Sequence, residues 1–245
     1  MLIQEQVYGL PCGIHDSNYW FVILAAKIRV LVMYSWICLS QVTAGGEGST
    51  RIWNANHLQE TSCRELKLPE DSQVPRLVIV TSTGYYRYLV ASQLGIIHGW
   101  SSHAQIWVSL FKDEGIGNGS VLDSDGRTII FGTRTGAVFV FVSGPSSLEL
   151  LATHQLEKTK IYSVHLVASQ QQFMACLDNG RMLLMNILDG SESQPRAQFI
   201  LPEGKQRWPS CVLATQNRFM MGDREGSFHL YSTEKEVGFE ILRGR

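Results

Sequence analysis

The chain has 245 residues, and its 21 Lys and Arg against 22 Asp and Glu leave a formal charge of −1. Near-neutrality excludes a global pull toward nucleic acid or membrane surfaces, so any polyanion contact has to be local. The five cysteines (Cys12, Cys38, Cys63, Cys176 and Cys211) are odd in number and lack zinc-finger or redox spacing, which suits a reducing compartment and predicts a cytoplasmic protein.

In chain order, the first conspicuous stretch is residues 20–39 (WFVILAAKIRVLVMYSWICL), an apolar window almost long enough to span a bilayer. Lys27 and Arg29 sit near its middle. Each charge there costs about 2.5–3.5 kcal/mol on insertion, so no membrane span is expected and buried strands are the simpler reading. From residue 42 onward a repeating pattern takes over. The chain therefore divides into an irregular N-terminal segment, residues 1–41, read as a partial repeat unit or a gene-model artefact, and a repeat region, residues 42–245.

The repeat is a phrase of thirteen residues: an apolar run, a small polar turn with glycine at the eighth place, and a second apolar run. It reads LVIVTSTGYYRYL at 77–89, IIFGTRTGAVFVF at 129–141, FMACLDNGRMLLM at 173–185 and FMMGDREGSFHLY at 219–231, with a shortened copy, VTAGGEGSTRIW, at 42–53. The turn glycines, Gly48, Gly84, Gly136, Gly180 and Gly226, lie 36, 52, 44 and 46 residues apart. That is near the ~40–45 residue period of WD repeats. Each phrase predicts two strands joined by a tight turn, where glycine supplies positive φ without a Cβ penalty, and Asp178-Asn179-Gly180 carries the strongest short hairpin signal.

After the glycine, residues 137–141 and 182–185 are apolar at nearly every place, which predicts strands covered on both faces. Inner strands are expected at 118–124 and 161–168, and outer strands at 104–111, 148–154 and 198–201. Four strands per period is the propeller blade. A β-sandwich, with turns every ~8–12 residues and no longer period, fits worse. The prediction is an all-β, WD-repeat β-propeller of about five blade units. Five units either close as a small ring or form part of a larger ring or multi-propeller protein, and the sequence favours the latter.

Catalytic motifs are weak. Residues 113–119 (DEGIGNG) resemble a glycine-rich phosphate loop, but turn formers and a strand follow rather than a helix, so an inter-blade loop is expected. Residues 45–49 (GGEGS) are equally explained as a hairpin turn. None of the seven histidines pairs at the three- or four-residue spacing of helical metal sites; His98 and His103 are read as lying in a loop, and His165 and His229 as packing between blades. No strand-to-helix elbow presents a serine. No catalytic, cofactor or metal residue is therefore expected.

One segment, residues 201–211 (LPEGKQRWPSC), sets two cations beside an indole in a loop leading to an inner strand. Lys205 and Arg207 can meet phosphate while Trp208 stacks on a base or fills a partner's pocket; the plainer alternative is a packed indole beside solvated cations. Arg134 and Arg224, each two residues before a turn glycine, are expected to project at blade edges.

KQRWPSC, preceded by LP and followed by FMMGDREGSFHLY, resembles the family of WD repeat-containing protein six in one unbroken frame from Lys205 through Ser227. The phrases at 42–53 and 76–89 are weaker echoes, and together the similarity covers most of residues 42–231. Residues 1–41 have no counterpart in that family, whose members are much longer. The resemblance implies a non-catalytic regulatory subunit that pairs with an FtsJ-like methyltransferase for 2′-O-ribose methylation of tRNA wobble nucleotide 34. S-adenosylmethionine would then be bound by the partner enzyme, and tRNA would be met through the complex. The rival expectation is a propeller adaptor in endosomal trafficking or signalling with no RNA role, because propellers host many unrelated partners. An enzyme acting alone is a third.

Overall fold

The phrase at 129–141 shows how the repeat folds. Thr128–Thr133 and Ala137–Ser143 pair antiparallel. Gly136 turns the corner at φ +85, and the Thr133 hydroxyl accepts the Ala137 N–H at 2.9 Å while donating to the Ala137 carbonyl at 3.0 Å. A glycine is needed here because left-handed backbone costs other residues about 1–2 kcal/mol. Gly180 repeats the corner at φ +84, with the Asn179 side chain accepting the Arg181 N–H at 3.1 Å.

The computed structural model describes residues 31–34, 40–44, 49–54, 63–69, 75–80, 86–101, 103–125, 127–144, 146–167, 171–188, 194–200, 211–214, 218–222, 227–232 and 239–243. Among these it forms five four-stranded antiparallel sheets, each a meander of strands consecutive in sequence. Blade one holds β1 (Leu31–Tyr34), β2 (Ser40–Ala44), β3 (Ser49–Asn54) and β4 (Cys63–Lys67). Its strands begin upstream of residue 42. Blade two holds β5 (Pro75–Val80), β6 (Tyr86–Ser92), β7 (Ile96–Ser101) and β8 (Ile106–Lys112). Blade three holds β9 (Gly119–Ser124), β10 (Thr128–Thr133), β11 (Ala137–Ser143) and β12 (Leu148–Gln155). Blade four holds β13 (Ile161–Val167), β14 (Gln172–Leu177), β15 (Arg181–Asn186) and β16 (Ala197–Ile200). Blade five holds β17 (Cys211–Ala214), β18 (Arg218–Gly222), β19 (Ser227–Ser232) and β20 (Phe239–Arg243). The first strand of each blade meets the first strand of the next, β1 to β5, β5 to β9, β9 to β13 and β13 to β17, which makes these the inner strands.

Hydrophobic clusters join neighbouring blades. Leu66, Val90 and Trp100 join blades one and two; Leu89, Ile129, Phe131 and Phe141 join two and three. Ile130, Val140, Phe173 and Met185 join three and four; Met174, Phe199, Phe219 and Tyr231 join four and five. Along β10, Ile129 and Phe131 point to blade two while Ile130 points to blade four, so both faces are dry. This is why the strand sequence lacks alternation. Fully burying one such side chain is worth about 1.5–3 kcal/mol.

Two features correct the sequence reading. In blades one, three, four and five the phrase spans the second and third strands, but in blade two residues 77–89 span the first and second. The second-to-third turn there is closed by Gly95, at φ +78, in place of Gly84. Residues 88–100 (YLVASQLGIIHGW) carry the same phrase, and with Gly95 the turn glycines fall 47, 41, 44 and 46 apart. Second, His98 is not in a loop: it lies in β7 and is buried, whereas His103 is exposed in the turn that follows. Residues 113–118 lie between blades two and three, as the inter-blade reading of the glycine-rich run expects, and include a short 3-10 helix, Glu114–Asn118. No helix of the described residues is long and apolar enough to cross a membrane.

Candidate functional site

The connection from each outer strand to the next inner strand passes beside the glycine turns, and two such connections are described. In the first, the Asp113 N–H donates to the Gly95 carbonyl at 2.9 Å, and at its far end the Asn118 carbonyl accepts from the Arg134 N–H at 3.0 Å. In the second, the Leu156 N–H donates to the Gly136 carbonyl at 3.0 Å, and the Lys160 carbonyl accepts from the Asp178 N–H at 2.9 Å. Each connection thus stitches the turn of its own blade to the turn of the next. The fit leaves no room for a side chain at the glycine: an added Cβ would stand 2.0 Å from the Asp113 carbonyl oxygen at Gly95 and 1.7 Å from that of Glu157 at Gly136.

The glycine-rich run at 113–119 is part of this stitching. Asp113 caps the 3-10 helix by accepting the Gly115 N–H at 2.7 Å, Ile116 is fully buried, and a Cβ on Gly117 would meet the Gln93 carbonyl oxygen at 2.4 Å. Its glycines serve close backbone approach, and at five residues the helix is too short to offer a terminus for a phosphate.

Arg134 is exposed in the β10–β11 turn, as the sequence predicts. The structure sets that turn against residues 155–159: besides the contacts of Gly136, the Gln155 side chain donates to the Thr135 carbonyl at 3.2 Å. Lys158 is exposed beside it, and Lys160 places its ammonium 4.4 Å from the centre of the Tyr162 ring. The neighbouring carboxylate is engaged elsewhere, since Glu157 forms an ion pair with Arg181 and accepts the Asn179 amide at 2.6 Å. Arg181 also donates to the Gln198 side chain at 2.6 Å. Among the described residues Arg134, Lys158 and Lys160 make no ion pair.

Lys205, Arg207 and Trp208, in the connection between β16 and β17, and Arg224, in that between β18 and β19, lie outside the described residues. So do residues 45–48. Arg134 is thus the predicted site residue that the structure describes, and it is joined by Lys158, Lys160 and Tyr162, which sequence reasoning passed over. Their signal was present: residues 157–162 read EKTKIY, two cations at alternate places followed by an aromatic, much as 203–208 read EGKQRW.

Burial lowers the pKa of His98, since desolvation disfavours the charged imidazolium. Burial, with a smaller contribution from Cys176, raises that of Tyr231 to about 12. The described residues hold no group of three or more His, Cys, Asp or Glu placed to bind a metal.

No family model matches the sequence, and no curated protein matches it. Solved structures do. The computationally designed protein Ika8 aligns over 99% of this chain and 73% of its own, at TM-score 0.64 and 13% identity. Sqt1 of Saccharomyces cerevisiae, a WD-repeat protein, aligns over 84% of this chain and 60% of its own, at TM-score 0.62 and 12% identity. At such identities the likeness carries the fold alone. The chain has the all-β architecture of a WD-repeat β-propeller and covers about three fifths of the length of Sqt1.

Proposed function

We propose that this propeller region is a non-catalytic, cytoplasmic scaffold of tRNA modification, working with an FtsJ-like methyltransferase that carries a methyl group from S-adenosylmethionine to the ribose 2′-hydroxyl of wobble nucleotide 34. The family resemblance at residues 205–227 names the partner and the substrate. The observation that supports the reading is the division of labour in the blade connections: backbone groups are spent on joining blades, while Arg134, Lys158 and Lys160 stand on the same surface without a carboxylate partner. Such a surface positions an anionic ligand for chemistry done by another subunit. The chain itself takes no proton and transfers no group.

The test is co-purification of the full chain with an FtsJ-like methyltransferase, with and without tRNA, followed by a methyl-transfer assay at nucleotide 34. Recovery of the enzyme and methylation that depends on the pair is the expected result. Methyl transfer by this chain alone would overturn the non-catalytic assignment. Folded protein that retains neither enzyme nor tRNA would turn the assignment to a protein adaptor in trafficking or signalling.

A further inference from the structure

We infer that the junction of blades three and four, on the surface carrying the glycine turns, is an RNA-backbone site built from Arg134, Lys158 and Lys160, with Tyr162 as a positioning residue. The inference rests on the RNA part of the function proposed above and deepens it by naming where the nucleic acid lies.

The topology brings these residues together although they come from two different loops. The turn holding Arg134 is pinned to the connection holding Lys158 by the Leu156-to-Gly136 and Gln155-to-Thr135 hydrogen bonds, and the Glu157 and Thr159 carbonyl oxygens occupy the space beside Gly136. Three cations therefore gather on a rigid base. Two carboxylates lie close by. Glu157 is taken up by Arg181 and Asn179, and half-buried Asp178 has its backbone bonded to the Lys160 carbonyl. Counting Arg181, Arg134, Lys158 and Lys160 against Glu157 and Asp178 leaves an excess of two positive charges at this junction, in a chain whose overall charge is −1.

Tyr162 gives the cluster its order. Its ring holds the Lys160 ammonium by a cation–π contact, which restrains a side chain that would otherwise sweep freely and lowers the entropy lost when it meets phosphate. A single strand or loop of RNA fits better than a duplex groove, because among the described residues no helix or ribbon projects from this surface and the cations are spaced along a connection. An acidic protein segment is the competing occupant and is decided by the same experiment.

The experiment is fluorescence anisotropy of the full chain with a labelled single-stranded RNA and with a tRNA transcript over a salt series, each variant being checked for its thermal melt. K158E/K160E is expected to weaken binding roughly tenfold near 0.1 M salt and to reduce the slope of log K against log salt by about 1.4, two single-strand phosphate contacts' worth. R134E is expected to act in the same direction. Arg127, exposed in the β9–β10 turn at the opposite ends of the strands, supplies the control, and R127E is expected to bind as the parent does. Y162F, which keeps the ring, should bind normally, whereas Y162A should bind more weakly with an unchanged salt slope.

Parent-like binding by K158E/K160E, or an equal loss in R127E, overturns the site while leaving RNA binding intact. Absence of RNA binding by the parent chain overturns site and RNA role together. If that chain still recovers the methyltransferase, the scaffold reading survives without them. Binding of an acidic peptide but not RNA, lost in K158E/K160E, assigns the surface to protein instead.

Discussion

The two described connections between blades, residues 113–118 and 156–160, make matching backbone contacts and present opposite surfaces. Both begin by donating an N–H to the carbonyl of a turn glycine and end by offering a carbonyl to the next blade's turn. The first then buries Ile116 and winds into a 3-10 helix whose glycines admit close backbone approach. The second turns its lysines outward and holds one of them against an aromatic ring. The frame of the propeller thus constrains backbone at each junction and leaves the side chains free to differ. Function is carried by what the frame does not require.

If the backbone contact is common to both junctions, breaking it should hurt both alike. Gly136→Ala and Gly95→Ala each force a side chain into left-handed backbone and onto a carbonyl oxygen, at 1.7 and 2.0 Å. Each should cost about 3–5 kcal/mol in urea unfolding. A large difference between the two would break the comparison. Truncation tests the difference in side chains: Ile116→Ala should cost about 3 kcal/mol by leaving a cavity, whereas Lys158→Ala should stay within about 0.5 kcal/mol.

The junction of blades four and five adds a third case, closed by aromatic packing of Phe199, Phe219 and Tyr231. Tyr231 donates to the Ile200 carbonyl at 3.3 Å, and its pKa is raised from 10.0 to about 12. The unfolded chain ionises this phenol first. Stability from it is therefore complete below pH 10 and lost as pH rises through 12, by less than about 3 kcal/mol because solvent screens the part-buried hydroxyl. Alkaline unfolding monitored with and without Tyr231→Phe should show that loss in the parent protein and a flatter profile in the variant. Glu157→Gln should cost under about 1 kcal/mol, because its ion pair with Arg181 is part-exposed. That change should also leave the first connection untouched, which hydrogen exchange at Asp113 and Ile116 would report.

The frame was legible in the sequence because its demands are local. Gly136 and Gly180 announce their turns, and the unbroken apolar runs after them announce strands dry on both faces. Gly84 misled because residues 77–89 and 88–100 satisfy one phrase in overlapping frames, and only the second stands at the turn that the Asp113 connection reaches. The more even spacing that Gly95 gives was a usable arbiter. The candidate site was less legible. Arg134 could be placed from its offset to a turn glycine, but Lys158 and Lys160 gain meaning only once Gly136 brings their loop against that turn. The corresponding junction of blades two and three shows why the glycine-rich run is no phosphate site: the space beside its glycines is filled by the Gln93 carbonyl, the Asp113 carboxylate and Phe139.

Every sheet is a meander in which strands bond to their neighbours in sequence, and that governs how the molecule acquires its shape. Short loops close early and at little entropic cost, so a single blade can assemble from its own hairpins before the chain is complete. Growth then proceeds by docking one blade on the last, with the energy shared out between adjacent pairs rather than pooled. Damage should travel the same way: loosening one blade weakens its two neighbours and spares the others. In hydrogen exchange, amides of β10 and β14 should be the slowest to open, with lower protection in blades one and five.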